Sequence, residues 1–157
     1  MTHRYVIALG SNMRVPSLGD PRRVLAAALA RMEERQIAVI DASRTRASRP
    51  VGPSQRLYAN GAALVEAPWD PPRMLRELQT IEVAFGRRRQ GSRWRGRPLD
   101  LDIILWSGGT WLSPELTIPH PLFRQRDFVA GPAAQVAADW RDPVTGFTLR
   151  QIAARVS

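Results

Sequence analysis

The sequence predicts an α+β fold, a ferredoxin-like βαββαβ sandwich in which an antiparallel sheet carries helices on one face, with further helices added at the C-terminus. Three observations predict it. Short apolar runs alternate with two helical stripes in the order β-α-β-β-α-β. Both stripes open on the same signal, Asp20-Pro21 and Asp70-Pro71, an N-cap residue followed by proline at the first helical position. And 157 residues suffice for one sizeable core but not for two comfortable domains, so residues 1–157 are read as a single domain.

Taken in order, Tyr5 to Leu9 is an apolar run closed by Gly10-Ser11-Asn12, a buried strand entering a turn. Leu25, Ala28, Leu29 and Met32 then form one apolar helical stripe. Ile37 to Ala42 predicts a second strand that runs on into the arginine-rich stretch Arg44 to Arg49, and Pro50-Val51-Gly52-Pro53 must be a loop because its prolines lack ladder donors. Leu57 to Val65 is a third strand. Met74, Leu78, Ile81 and Phe85 follow at helical spacing, with Gly86 placed to end that helix. A polar loop rich in glycine and arginine, Gly86 to Arg97, leads into a strand over Pro98 to Trp106 whose odd-numbered residues Leu99, Leu101, Ile103 and Leu105 face the core. Beyond Leu116 come a proline-rich loop, a short helix near Asp127 to Val136 and a terminal helix near Leu149 to Val156. The sheet face away from the helices is left available for a site.

Composition excludes several chemistries. There is no cysteine, which removes disulfides, thiolate nucleophiles and sulfur-ligated metals. With only His3 and His120, a tri-histidine zinc site cannot be assembled. The net charge of +9 comes from arginine alone, since the chain has no lysine, so a P-loop lysine is excluded as well. No apolar run approaches the roughly 20 residues that cross a bilayer, and the N-terminus lacks the apolar core of a secretory signal. A cytoplasmic protein with no membrane contact is expected.

The sharpest chemical feature is Leu99-Asp100-Leu101-Asp102-Ile103. With period two, Asp100 and Asp102 project from one strand face, about 6–7 Å apart at Cα. Paired carboxylates at that spacing suit hard cations that also take phosphate oxygens and water, as Mg²⁺ does. Arg87, Arg89, Arg93, Arg95 and Arg97 lie upstream and His120, Arg124 and Arg126 downstream, so acidic ligands are flanked by phosphate-binding cations. A bare Asp-x-Asp also occurs as the wet side of an amphipathic strand; it is the cationic neighbourhood that favours a metal-bridged triphosphate. The same paired acids would repel a nucleic-acid backbone, and a ribonucleoprotein-type aromatic signature is missing, so no nucleic-acid partner is expected.

Tyr58 and Asn60 share a face on the third strand, an aromatic ring beside an amide that donates and accepts, which is what a flat heterocycle needs. An ordinary strand explains the pair as well, and Phe128 fits the core as easily as a stacking site. Trp94 is a large apolar residue in a polar loop. Gln79 and Glu82, three apart on the second helix, share a surface that by default is a polar helix flank.

Together these segments resemble the family of 6-hydroxymethyl-7,8-dihydropterin pyrophosphokinases. The resemblance runs from Ala8-Leu9-Gly10-Ser11-Asn12 through Pro50-Val51-Gly52-Pro53, Tyr58-Ala59-Asn60, Ile81-Glu82 and Gly86-Arg87-Arg88-Arg89. It continues through Arg97-Pro98-Leu99-Asp100-Leu101-Asp102-Ile103, Ile118-Pro119-His120-Pro121 and Arg126-Asp127-Phe128-Val129. It implies transfer of pyrophosphate from ATP to the hydroxymethyl group of the pterin, with AMP released. It further implies that Asp100 and Asp102 hold two Mg²⁺ ions, with Arg87 and Arg97 beside them in the catalytic group. Gln79, Glu82, Arg87, Arg89, Arg97, Ile103, Thr117, His120 and Arg126 would bind ATP. Ser48, Val51, Tyr58, Asn60, Trp94, Asp100 and Phe128 would bind the pterin, and a monomer is expected. The chain departs from the common pattern at Trp94-Arg95-Gly96-Arg97, where Trp-Gly-Pro-Arg is frequent, and at Ser48-Arg49.

Overall fold

The computed structural model describes residues 2–12, 19–48, 58–86 and 98–157. Its elements are β1 (His3–Ser11), α1 (Pro21–Glu34), β2 (Ala38–Ala42), β3 (Arg46–Ser48), β4 (Tyr58–Ala67), α2 (Pro71–Ala84), β5 (Asp100–Trp106), β6 (Trp111–Ser113), β7 (Leu116–Ile118), α3 (Asp127–Ala137) and α4 (Leu149–Val156). The main sheet is antiparallel with the order β2-β4-β1-β5, and β3 adds to β4 beyond β2. With β2 and β3 taken as one interrupted strand, this is the ferredoxin-like order.

Both predicted caps form. Asp20 accepts from the Arg23 N–H and Asp70 from the Arg73 N–H, in each case ahead of a proline in the first turn. These caps satisfy amides that the helix itself leaves orphaned. Gly86 follows α2 at φ +100°, a left-handed conformation that glycine adopts without strain. Val24, Leu25, Ala28 and Met32 of α1 and Met74, Leu78 and Ile81 of α2 pack on Tyr5, Ile7 and Leu9 of β1 and on Leu99, Leu101 and Ile103 around β5. Between the two helices, the buried Glu77 accepts from Arg35 at 2.8 Å and from Arg73 at 3.0 Å.

The second face of the sheet is not left bare. The C-terminal helices pack on it, with Phe123, Ala130, Ala133, Leu149 and Ile152 closing a second core over Val6, Ala62 and Ile104. Leu105 belongs to this second core, contrary to the expectation that it would follow Leu99 and Leu101. The cause is a register shift on β5: Val6 pairs with Leu105 and Ile7 with Ile103, so Ile104 is the extra residue and alternation slips there. The hairpin of β6 and β7, which the sequence pattern does not announce, follows β5 directly.

One buried acid ties the added helices together. Asp142, in the connection between α3 and α4, is fully buried and accepts from both Nε and Nη2 of Arg124, from the Val144 N–H at 3.0 Å and from the Thr145 hydroxyl at 2.7 Å. Burial pushes its pKa up, but the hydrogen bonds from Arg124, Thr145 and Val144, with the Arg124 charge, hold it below the ordinary carboxylate range. A carboxyl lowered by folding stabilises the fold where it is ionised. Asp142→Ala, which leaves Arg124 without its acid, is expected to cost about 3 kcal/mol. That corresponds to a Tm lower by about 6–12 °C for a chain of this size, read by circular dichroism. The difference in Tm from wild type should be full at pH 7 and shrink as pH falls below about 4.

Candidate active site

The site is built on the part of the second face that α3 and α4 do not reach. Strand register places Gly10 between Asn60 on β4 and Asp100 on β5, and Ala8 between Ala62 and Asp102. The first row extends to β3, where Arg46 stands opposite Asn60 and Ser48 opposite Tyr58. Alternation along each strand puts Asp100, Asp102, Asn60 and Tyr58 on the α3 side of the sheet, opposite Leu99, Leu101 and Ile103. Ala8 and Gly10 are partly exposed although β1 is an inner strand, because neither carries a side chain that fills the space above it. Asn60 and Asp100 are two strand spacings apart, roughly 10 Å. The result is a shallow floor with an amide at one side and two acids at the other.

The segment after β7 forms a wall beside the acids. The His120 N–H donates to the Ile104 carbonyl at 3.1 Å, and the Leu122 N–H donates to His120 Nδ1 at 3.2 Å. With Nδ1 occupied as an acceptor, Nε2 carries the proton of the neutral ring. Burial lowers the pKa of His120, Asp102 opposes that and Arg126 reinforces it, with a net lowering that keeps the ring neutral near pH 7. Asp102 and Arg126 are therefore each within electrostatic reach of His120. Arg126 in turn lies over the Phe128 ring, 5.9 Å from its centroid.

A cavity of about 310 Å³ opens at the outer edge of β5, with Leu75 of α2 on one side and Leu116, Thr117 and His120 on the other, and with Asp102 and Ile103 at its rim. Glu82 does not line it. That side chain is buried and accepts from the Leu101 N–H at 2.8 Å, so it serves the free edge of β5. Because the Leu101 amide turns outward, the peptide groups of Ile103, two residues on, turn to the same edge. Gln79 is exposed, one turn along α2 from Leu75.

The structure thus gathers Asp102, Ile103, Thr117 and His120 at one cavity, with Arg126 and Phe128 adjoining, and lines up Asp100 with Asn60 in one row. Val51, Arg87, Arg89, Trp94 and Arg97 lie outside the described residues. Ser48 is the strand partner of Tyr58. Arg124, counted from the sequence among the cations near the acids, is instead committed to Asp142, whose burial could not be read from its place in the polar run Arg141-Asp142-Pro143. Sequence reasoning also missed Leu75 and Leu116; both are apolar residues only partly buried, a signal that exists in the structure alone.

Comparison with known proteins decides what this arrangement belongs to. The model of the family described as 7,8-dihydro-6-hydroxymethylpterin-pyrophosphokinase (HPPK) matches residues 6–138. The chain belongs to that family. It is 36% identical over 157 residues to a 2-amino-4-hydroxy-6-hydroxymethyldihydropteridine pyrophosphokinase of Synechocystis, covering 98% of this chain and 76% of that one. It is 37% identical over 145 residues to the protein of the same name from Pseudomonas aeruginosa, covering 91% and 86%. Among solved structures, a triple mutant of Plasmodium falciparum HPPK-DHPS superposes with a TM-score of 0.72 at 15% identity over 99% of this chain and 44% of that one. That likeness bears on the fold, and this chain spans less than half of the longer protein. The family match takes in both rows of the floor, the cavity and α3, and stops short of Asp142 and α4.

If Glu82 serves the strand edge, Glu82→Met should leave the Leu101 amide unpaired and cost about 2 kcal/mol. Thermal unfolding should show a Tm lower by about 4–8 °C. Glu82→Gln keeps an acceptor there and should melt close to wild type.

Proposed function

We propose that this floor and its flanking cavity are the active site, with the nucleoside at the edge of β5, the phosphates over Asp100 and Asp102, and the pterin ring at Asn60 between Tyr58 and Phe128. The chain is a pyrophosphokinase of folate biosynthesis: it transfers pyrophosphate to the hydroxymethyl group of 6-hydroxymethyl-7,8-dihydropterin, with ATP as co-substrate. The observation that carries the reading is the row Asn60, Gly10, Asp100. It sets a ring-recognising amide and a phosphate-side acid on one floor, with a residue that has no side chain between them.

The donor set suits divalent cations. Two carboxylates on one strand, facing a cleft open to water, offer the hard oxygens that Mg²⁺ takes together with phosphate and solvent. Two bound Mg²⁺ ions would neutralise triphosphate charge and the charge developing on the leaving oxygen. Asp100 and Asp102 would hold them from below the phosphates. His120 would donate from Nε2 to a phosphate oxygen, and Arg126 would face the same anion. Arg87, Arg89 and Arg97 would complete the cationic side. The peptide edge at Ile103, with Thr117 and Gln79 nearby, would border the nucleoside, while Glu82 would act through Leu101. Tyr58 and Phe128 would stack on the pterin, Ser48 and Val51 would present backbone to its polar rim, and Trp94 would close over it.

The hydroxymethyl oxygen attacks the β-phosphorus in line with the bond to the α–β bridging oxygen. That bond breaks, AMP leaves with the bridging oxygen, and the hydroxyl proton passes to a carboxylate or water in the cleft. Such a transfer needs positioning and electrostatic stabilisation more than covalent help from the protein, which matches a site of acids, arginines and one neutral histidine.

The reading takes the enzyme as a cytoplasmic, single-domain monomer without nucleic-acid partners. Among the described residues, the exposed large apolar side chains Ile40, Val83, Leu112, Leu122 and Val144 are scattered over separate elements, and no helix is long and apolar enough to cross a membrane.

Three measurements test the assignment. Incubation with ATP, Mg²⁺ and the hydroxymethyl dihydropterin should yield AMP, and release of ADP would rule out the pyrophosphoryl transfer. Asp100→Ala and Asp102→Ala should each lower kcat by at least about 100-fold while changing pterin affinity far less. Chelation of Mg²⁺ should stop wild-type turnover, and added Mg²⁺ should restore it.

A further inference from the structure

Arg46 lies in the arginine-rich stretch that follows β2, and neither the family resemblance nor the mechanism uses it. Its place in the fold is specific. On β3 it pairs with Asn60, and two residues on, Ser48 pairs with Tyr58, so Arg46 belongs to the strand that backs the ring-binding side of the floor. Its guanidinium crosses to the first residue of α3, donating from Nη1 to the Asp127 carbonyl at 3.2 Å and from Nη2 to Asp127 Oδ2 at 2.9 Å. Asp127 is the immediate neighbour of Phe128. One side chain therefore joins α3, which carries Phe128, to β3, the strand paired with the Tyr58 end of β4.

An ordinary surface ion pair would look much the same at first. Arg46 and Asp127 are 44% and 46% exposed, and such pairs contribute little to stability. The N-terminal end of a helix also disfavours a cation, so the helix dipole does not draw Arg46 there. What sets this pair apart is Gly131. A Cβ at that position would stand 2.7 Å from Arg46 Nη1, so the guanidinium, the far end of a flexible side chain, would have to shift to make room for it. Glycine inside a helix is disfavoured relative to alanine. At position 131 the missing methyl leaves the space that the guanidinium fills.

We infer that Arg46, seated over Gly131 and bound to Asp127, is a positioning residue that sets the separation between the Tyr58 and Phe128 walls and so tunes affinity for the flat ring. This rests on the pterin lying between those walls. Arg46 acts through Asp127 and does not itself touch the reacting atoms.

The test is a double-mutant cycle on the full chain, with pterin affinity measured by titration in saturating Mg²⁺ and α,β-methylene ATP. Arg46→Ala should weaken pterin binding about tenfold and leave nucleotide affinity within about twofold. Gly131→Ala should weaken it comparably by displacing the guanidinium, although alanine favours the helix. The double variant should bind no worse than Arg46→Ala alone, and Arg46→Lys should recover part of the affinity. Normal pterin binding by Arg46→Ala, or additive losses in the double variant, would overturn the inference, as would a lower Tm with unchanged affinity. Failure of the wild-type chain to bind the pterin under these conditions would instead overturn the site assignment beneath it.

Discussion

The proposed site depends on what β1 lacks. An inner strand must pair on both edges, and β1 does so with β4 and β5 over most of its length. After His3 and Arg4 it is large and apolar on both faces, at Tyr5, Val6 and Ile7, and both cores close over these residues. Further along, the side facing α3 is reduced to Ala8 and Gly10 while the other side keeps Leu9. One face can therefore stop being a core without the other doing so. A bulkier residue at either position would fill the floor between Asn60 and the two acids. The added Cβ at Gly10 would itself stand 3.6 Å from the Asn60 Oδ1, an ordinary contact, so the glycine serves the space above the sheet more than the packing within it.

The additions beyond β7 have two duties that the same residues perform. Phe123 and the apolar sides of α3 and α4 close the second core, which any sheet with apolar residues on both faces requires. The chain that makes this cover must first pass the acids, and it does so as His120 to Phe128. Backbone hydrogen bonds hold that passage at one end, through the His120 N–H and Ile104, and at the other through the Ala130 N–H and the Arg126 carbonyl. In its middle, Arg124 reaches the buried carboxylate of Asp142. The wall of the site is thus a by-product of burying the second face, and it is stiffened by a carboxylate that lies outside the span matched by the family.

How much of this the sequence discloses follows from how local each signal is. Helix starts depend on residues three apart, so Asp20-Pro21 and Asp70-Pro71 announce α1 and α2 without tertiary help. Strand alternation is equally local, and it tells which side of β5 bears Asp100 and Asp102. It fails at Leu105 because the slip arises in pairing with β1, which no single strand records. The unbroken apolar run of β1 did carry the message that both faces are covered, a signature of strands packed on two sides. Such a run leaves room for a site at one end of the second face and not over the whole of it. The fate of Glu82 was hidden for a different reason: a carboxylate beside an apolar stripe looks like a polar flank until the edge amide it receives is located across the fold.

Charge shows the same contrast between count and placement. A net charge of +9 suggests a broad basic surface, yet many of the arginines are matched close at hand. Arg4 pairs with Glu66, Arg31 with Glu34, Arg35 and Arg73 with Glu77, Arg46 with Asp127, Arg124 with Asp142 and Arg150 with Asp139. In a chain without lysine, each of these carries a planar fork that binds a carboxylate in a set orientation, where an ammonium would act as a point charge. Arginine here is therefore a construction material as well as a ligand for anions. Among the described residues, Arg126 is a cation that the fold brings to His120, and its neighbours along the chain, Arg124 and Asp127, are both held by ion pairs. Such a segment can present one guanidinium toward an anion while its flanks stay fixed, which is what an electrostatic site needs if its charges are to be in place before the substrate arrives.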